Sequence, residues 1–185
     1  MKWQNIEGWF SDSDAAFVQN ICKDIHDGVA VELGFYAGQS TAVMAPICKK
    51  NNTVFHTVDN CIGADPRDPA TKNQRSRDMK RVFENNMAKL QLLDCIKVHI
   101  MDSAASAELF DDESVDFCFI DASHVAEDVK RDIGAWWPKI KSGGVLGGHD
   151  WSWGSVRGVV EEFTQLHQLK FIATGNCWKI IKGEE

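Results

Sequence analysis

Short apolar runs of β type alternate with helical stripes along all 185 residues, and few folds accommodate that alternation. The β-type runs fall at residues 29–34, 54–59, 96–101, 115–121 and 145–148. Between them, apolar residues recur at three and four. Phe17, Ile21 and Ile25 mark a helix over 12–26, capped by Ser11 or Asp12 and ended by Gly28. Further helices are predicted over 39–49, 79–90, 125–137 and 156–163, with a short one after Ser103. Residues 170–173 and 177–181 flank Thr174-Gly175-Asn176 and read as a closing hairpin. Helices of crossover length between strands predict an α/β fold, a mostly parallel sheet covered on both faces. The hairpin adds an antiparallel edge.

Composition narrows the functional classes. With 44% hydrophobic and 25% charged residues, residues 1–185 read as a single globular domain. A net charge of −7 argues against binding a nucleic-acid backbone. No apolar run approaches the ~20 residues that span a bilayer. The polar start, MKWQNIEGWFSDSD, lacks the apolar stretch of a secretory signal. Cys22, Cys48, Cys61, Cys95, Cys118 and Cys177 are scattered, with no C-x-x-C pair. Reduced thiols in a cytoplasmic protein are expected rather than a disulfide framework or a zinc site.

In an open α/β sheet, ligands bind beyond the carboxyl ends of the strands. Here those ends carry Gly34 to Ser40, Asp59, Asp102-Ser103, Asp121 to His124, and His149-Asp150. The first loop, ELGFYAGQS, has glycines at 34 and 38 but Tyr36 where a dinucleotide fingerprint needs its second glycine. A pyrophosphate therefore lacks its usual close backbone approach. Glu32 suits a cationic amine or sulfonium, and Ser40 at a helix N-terminus suits a carboxylate. Asp59 can accept ribose hydroxyls. These residues together predict a nucleoside with an amino-acid-like tail and no pyrophosphate.

The run VELGFYAGQSTAVMA resembles motif I of class I S-adenosylmethionine-dependent methyltransferases, in particular the metal-dependent O-methyltransferase branch with the catechol and caffeoyl-CoA enzymes. VDFCFIDASH and GGVLGGHDW, in that order, resemble the relatives that methylate macrolide sugars and the cephalosporin-hydroxylase-like proteins. The likeness spans residues 15–182. It implies a Rossmann-like methyltransferase fold, with a seven-stranded, mostly parallel sheet, a C-terminal antiparallel hairpin and helices on both faces. It implies S-adenosylmethionine as cofactor, held by Glu32, Gly34, Phe35, Tyr36, Gly38 and Ser40 at its methionyl part. Asp59 and Asn60 would meet the ribose, Asp102 and Ser103 the adenine. Asp121 matches a residue that ligates Mg²⁺ beside the methionyl group, and Asp150 matches a second metal position. His149 takes a slot that is acidic in the catechol enzymes, and imidazole favours ions softer than Mg²⁺, such as Zn²⁺ or Mn²⁺. His124 falls where relatives place a general base; His149 is the other catalytic candidate, facing metal or substrate.

The expected reaction is methyl transfer to a hydroxyl of a small molecule or sugar, with or without a divalent ion. Trp151 and Trp153 are candidate walls for that acceptor, since indole stacks on sugar faces and flat rings. Residues 60–75 are a candidate lid, and Asp65, Arg67, Asp68, Lys72 and Arg75 within it a solvated charge cluster. The N-terminal arm, 1–11, is short, which predicts an acceptor pocket left open or completed by a second subunit of a homo-oligomer. Two rival readings stay open at this point. One is a nicotinamide-dependent oxidoreductase on the same sheet; the other is a non-catalytic cofactor-binding partner of another enzyme.

Overall fold

The computed structural model describes residues 1–62 and 78–183. Seven strands form one sheet in the order β3-β2-β1-β4-β5-β7-β6. They are β1 (Val29–Leu33), β2 (Val54–Val58), β3 (Ile96–His99), β4 (Val115–Ile120), β5 (Ile140–Gly148), β6 (Phe171–Thr174) and β7 (Cys177–Ile181). β1 to β5 pair in parallel with one another, and β7 runs antiparallel to both β5 and β6. Strand order reverses between β1 and β4, which opens a crevice at their carboxyl ends. The helices are α1 (Asp12–Cys22), α2 (Thr41–Lys50), α3 (Met79–Lys89), α4 (Ala126–Trp136) and α5 (Gly154–His167).

Pleating sends alternate side chains of each strand to opposite faces. On β4, Phe117 and Phe119 join the core under α1, α2 and α3, with Phe17, Val18, Met44 and Phe83. Cys118 and Ile120 join the core under α4 and α5, with Ile133, Trp136, Val160 and Trp178. Both faces of the central strands are thus buried, which is why they read as continuous apolar runs. Trp136, the last residue of α4, is wholly buried. His56, within β2, stacks on His99 at 5.2 Å and packs edge-on against Phe110, a structural role.

Two boundaries differ from the sequence expectation. α1 stops at Cys22, because the Asn51 side-chain amide donates to the Cys22 and Lys23 carbonyls at 3.2 and 3.1 Å and closes the helix there. Ile25 still packs on the core, from the turn beyond. β5 starts five residues early, at Ile140, which pairs with Val115 across a register shift that periodicity does not reveal. Among the described residues no helix is long and apolar enough to cross a membrane.

Candidate active site

The loop after β1 is shaped by its backbone. Gly34 has φ +89, and a Cβ there would overlap the Asp121 carbonyl from the neighbouring strand end. Glycine is thus required both by conformation and by space. Asp59, at the end of β2, ties this loop down. Its Oδ2 accepts the Phe35 and Tyr36 amides at 3.0 Å each, and its Oδ1 accepts the Cys61 amide at 2.7 Å. A carboxylate with two oxygens offers about four acceptor sites, so one remains for a ligand hydroxyl.

A cavity of about 640 Å³ opens over this loop. Of the sequence-predicted cofactor residues, Gly34, Phe35, Tyr36, Ser40, Asp59, Asn60, Asp102, Ser103 and Asp121 line it. Glu32 and Gly38 do not. Glu32 is fully buried beneath the loop; its Oε1 accepts the Ser40 hydroxyl at 2.5 Å, and its Oε2 accepts those of Thr41 and Thr57. The carboxyl expected to meet a cationic ligand therefore braces the start of α2 from below. Gly38 has φ +93, and the space a Cβ would need is filled by Phe83 and Met87, so its task is loop-to-helix packing.

Burial pushes the Glu32 carboxyl up to about 7, against the three hydroxyls that favour its charged form. A folded-state value above the unfolded 4.5 stabilises the fold below pH 4.5 and loses that contribution as pH rises through 7. The loss amounts to about 3 kcal/mol. Urea unfolding at pH 5 and pH 8 is expected to show this decline in the wild type and a much smaller one in Glu32→Gln. Equal slopes in the two proteins would remove Glu32 as its source.

The end of the cavity beside β3 is polar and braced. Asp102 Oδ1 caps the short helix that follows by accepting the Ala105 amide, and its Oδ2 pairs with Arg131 at 3.0 Å. The Ser103 hydroxyl donates to Asp132 Oδ1 at 2.6 Å, and Trp136 Nε1 donates to the Ser103 carbonyl.

Beyond Asp121 lies the most concentrated charge in the described chain. His149, 5% exposed at the end of β5, sits among three carboxylates. Its Nδ1 is 3.5 Å from Asp121 Oδ1 and 3.2 Å from Asp150 Oδ1; its Nε2 is 3.3 Å from Asp14 Oδ2. Burial alone would lower its pKa, but Asp121 and Asp150 reverse that and raise it to about 11. Asp150, at φ 62, divides its oxygens: Oδ1 faces His149, while Oδ2 lies 2.7 Å from His124 Nε2. Burial works against the charged Asp150 carboxylate, yet the two histidines hold it well below the usual range. The His124 value is raised, because Asp150 outweighs the burial that would lower it.

Ligand atoms of Asp121, His149 and Asp150 lie within 4.8 Å of one another. Two donors each about 2.1 Å from one ion sit roughly 3.0–3.4 Å apart, close to the separations around Nδ1. One imidazole with two carboxylates is a donor set that fits a divalent ion, which would take the place of the imidazole proton.

The predicted tryptophan pair separates. Trp153 lines the cavity and stacks on His124 with ring centres 4.7 Å apart. Trp151 turns away and packs on Phe171, 5.2 Å distant, because residue 150 adopts a left-handed conformation and breaks any simple alternation. Three contributions escape the sequence reading. Gly8, Trp9 and Phe10 line the cavity, so the N-terminal arm is part of the site. The Phe10 amide donates to Gln39, the Tyr36 hydroxyl to Glu7, and Trp9 stacks on Tyr36 at 5.5 Å. Asn176, in the hairpin turn, and Asp14, on α1, reach His149 from elements far away in sequence. The S-D-S-D run was legible as a helix cap, but nothing local points it toward His149. Asn60, Cys61 and Ile62 line the cavity, while the remainder of the lid candidate, with Asp65, Arg67, Asp68, Lys72 and Arg75, lies outside the described residues.

A parallel sheet with an antiparallel β7, and a cavity at the β1–β4 switch framed by Gly34 and Asp59, define a Rossmann-like α/β protein with an open site at its topological switch. A family model described as a methyltransferase domain matches residues 31–151, and the chain belongs to that family. It is a methyltransferase. The solved structures similar to it include the O-methyltransferase NovP, at 13% identity and a TM-score of 0.77, over 92% of this chain and 79% of NovP. A SAM-dependent O-methyltransferase from Thermotoga maritima is 15% identical with a TM-score of 0.68, over 95% of this chain and 67% of that one. CalS11, a calicheamicin methyltransferase, is 11% identical with a TM-score of 0.67, over 95% and 82%. At these identities the likeness is one of fold.

Proposed function

We propose that this chain is an S-adenosylmethionine-dependent O-methyltransferase acting on a hydroxyl of a small molecule or sugar, assisted by a divalent ion. The observation that carries this reading is the juxtaposition of the Gly34–Asp59 cradle with His124, Asp121 and Asp150 across one cavity. Bound in that cradle, S-adenosylmethionine supplies an electrophilic methyl group on its sulfonium. A divalent ion at Asp121, His149 and Asp150 supplies Lewis-acid polarisation of the acceptor hydroxyl.

The chain's own residues do the rest. Asp59 takes a ribose hydroxyl with the lone pair its three backbone donors leave over. The N-terminus of α2, which reaches the cavity wall at Ser40, favours the methionyl carboxylate through its backbone amides, the Ser40 hydroxyl being given to Glu32. Asp102 and Ser103 border the adenine. Transfer of the methyl group from sulfur to the acceptor oxygen would release the hydroxyl proton, which His124 is placed to take. Asp150 holds the proton on His124 Nε2, which leaves the lone pair at Nδ1 to receive it. Trp153, Trp9 and Tyr36 offer aromatic faces to the acceptor. Among the described lining residues there are five aspartates and a single arginine, itself paired with Asp102. That balance favours a neutral hydroxyl acceptor over a phosphorylated one. Six unpaired cysteines suit a reducing compartment such as the cytoplasm.

Calorimetric titration tests the class. S-adenosylhomocysteine is expected to bind at micromolar Kd and NAD not at all. Binding of NAD in place of S-adenosylhomocysteine would return the sheet to the oxidoreductase reading, and binding of neither would overturn the cofactor assignment.

A further inference from the structure

Asp14 is the third residue of α1 and completes a capping box with Ser11. Its Oδ2 accepts the Ser11 amide at 2.9 Å and the Ser11 hydroxyl at 2.6 Å. Capping boxes ordinarily stand in water, and their carboxylate needs no other partner. This one is 2% exposed, and the same Oδ2 lies 3.3 Å from His149 Nε2. Its Oδ1 faces the Cys177 thiol at 3.6 Å. A helix cap has thus been placed behind the histidine, on the side away from Asp121 and Asp150.

The two imidazole nitrogens are distinct, and whichever one faces a carboxylate keeps the last proton. His149 has carboxylates on both sides, but they differ in what else they do. Asp121 and Asp150 line the cavity, and a cation arriving there neutralises them. Asp14 is 2% exposed and does not line the cavity, so a cation there does not take its charge. Asn176 Nδ2 is equally near Nε2, at 3.3 Å. Its Oδ1 already accepts the Ser152 amide, so its Nδ2 can only donate, and Asp150 Oδ1 at 3.5 Å gives it an acceptor that leaves Nε2 to donate to Asp14. A buried carboxylate behind a ligating imidazole fixes its tautomer and raises its basicity.

We propose that Asp14 is a positioning residue for the metal site. It holds the proton on His149 Nε2, so that Nδ1 joins Asp121 and Asp150 in a one-nitrogen, two-carboxylate set that selects Mn²⁺ or Co²⁺ over Mg²⁺. The inference rests on the metal-assisted reading above and adds the class of ion and the residue that sets it. Mg²⁺ holds to oxygen ligands and dehydrates reluctantly, whereas imidazole strengthens binding of later divalent ions.

The test is metal titration of the full chain without cofactor, read by Mn²⁺ electron paramagnetic resonance, by the visible absorption of Co²⁺, and by competition with Mg²⁺. The wild type is expected to bind Mn²⁺ at least about tenfold more tightly than Mg²⁺. Asp14→Asn is expected to weaken Mn²⁺ by about 10–100-fold and to alter the Co²⁺ spectrum. His149→Asp is expected to erase the preference by restoring an all-oxygen set. Adding Asp14→Asn to His149→Asp should then leave Mg²⁺ affinity unchanged, which a merely structural role for Asp14 would not allow. Equal Mn²⁺ and Mg²⁺ affinity in the wild type, no metal binding, or an equal loss of both ions on Asp14→Asn would overturn the proposal. Should the Asp14 variants not fold, nitrogen-15 NMR of histidine in the Zn²⁺-loaded wild type decides. A protonated Nε2 with a metal-shifted Nδ1 supports the proposal, and the reverse overturns it. S-adenosylhomocysteine titration of the same samples separates the two readings. Retained cofactor binding without ion selectivity sinks only this one.

Discussion

Alanine at His124 is expected to lower methyl-transfer turnover by about 10²–10⁴-fold while leaving S-adenosylhomocysteine affinity as it is. The expectation follows from where the ring stands. It lines the cavity, its Nε2 is 2.7 Å from Asp150, and one face is covered by Trp153. The loop proposed to cradle the cofactor does not depend on it: the bonds that fix the β1 loop come from Asp59. The measurement is single-turnover methyl transfer at saturating cofactor, toward any acceptor that takes up label from methyl-labelled S-adenosylmethionine. Unchanged turnover in His124→Ala would strike His124 from the mechanism. A joint fall in turnover and cofactor affinity would make it a structural residue of the loop after β4.

The second large effect is expected at Gly34. A methyl group there must occupy the space of the Asp121 carbonyl, a backbone atom that cannot swing aside, at a φ of +89 that alanine resists. Relief requires β1 and β4 to separate at the point where they form the crevice. Gly34→Ala is therefore expected to cost about 3–5 kcal/mol, a fall in Tm of roughly 10 °C for a chain of this length. It should also abolish micromolar cofactor binding in whatever fraction folds. Thermal unfolding followed by circular dichroism checks the first part, and calorimetry the second. A Tm and an affinity both equal to wild type would show that the strand ends are not packed as described. Gly38→Ala offers a contrast: its Cβ would press on Met87 and Phe83 side chains, so stability should suffer more than the ligand site does.

Much of this was legible in the sequence because strand ends are local features. Asp59, Asp121 and His149-Asp150 close apolar runs, and in a parallel sheet such ends share one edge. The hairpin around Gly175-Asn176 was legible from its turn chemistry. What local pattern does not carry is the direction of a side chain after the strand stops. Glu32 belongs to the run that resembles motif I, yet its carboxylate turns beneath the loop to Ser40, Thr41 and Thr57. Trp151 and Trp153 look equivalent on paper, but the left-handed turn at Asp150 sends one to the hairpin and the other to the cavity. The remaining gaps are long-range. The N-terminal arm reaches the site through Gln39 and Tyr36, about thirty residues on, and Asp14 through a histidine 135 positions away. Those contacts depend on α1 packing across the sheet, which periodicity predicts, and on its exact rotation there, which periodicity does not set.

The account stands or falls on what occupies the β1–β4 crevice, and the structure of the chain with S-adenosylhomocysteine bound reads that outright. It predicts the methionyl group over Gly34 beside Ser40, a ribose hydroxyl on Asp59, and the adenine between Asp102 and Ser103, with the sulfur directed toward His124 and Asp121. A ligand seated elsewhere, or a ribose that leaves Asp59 untouched, would contradict it.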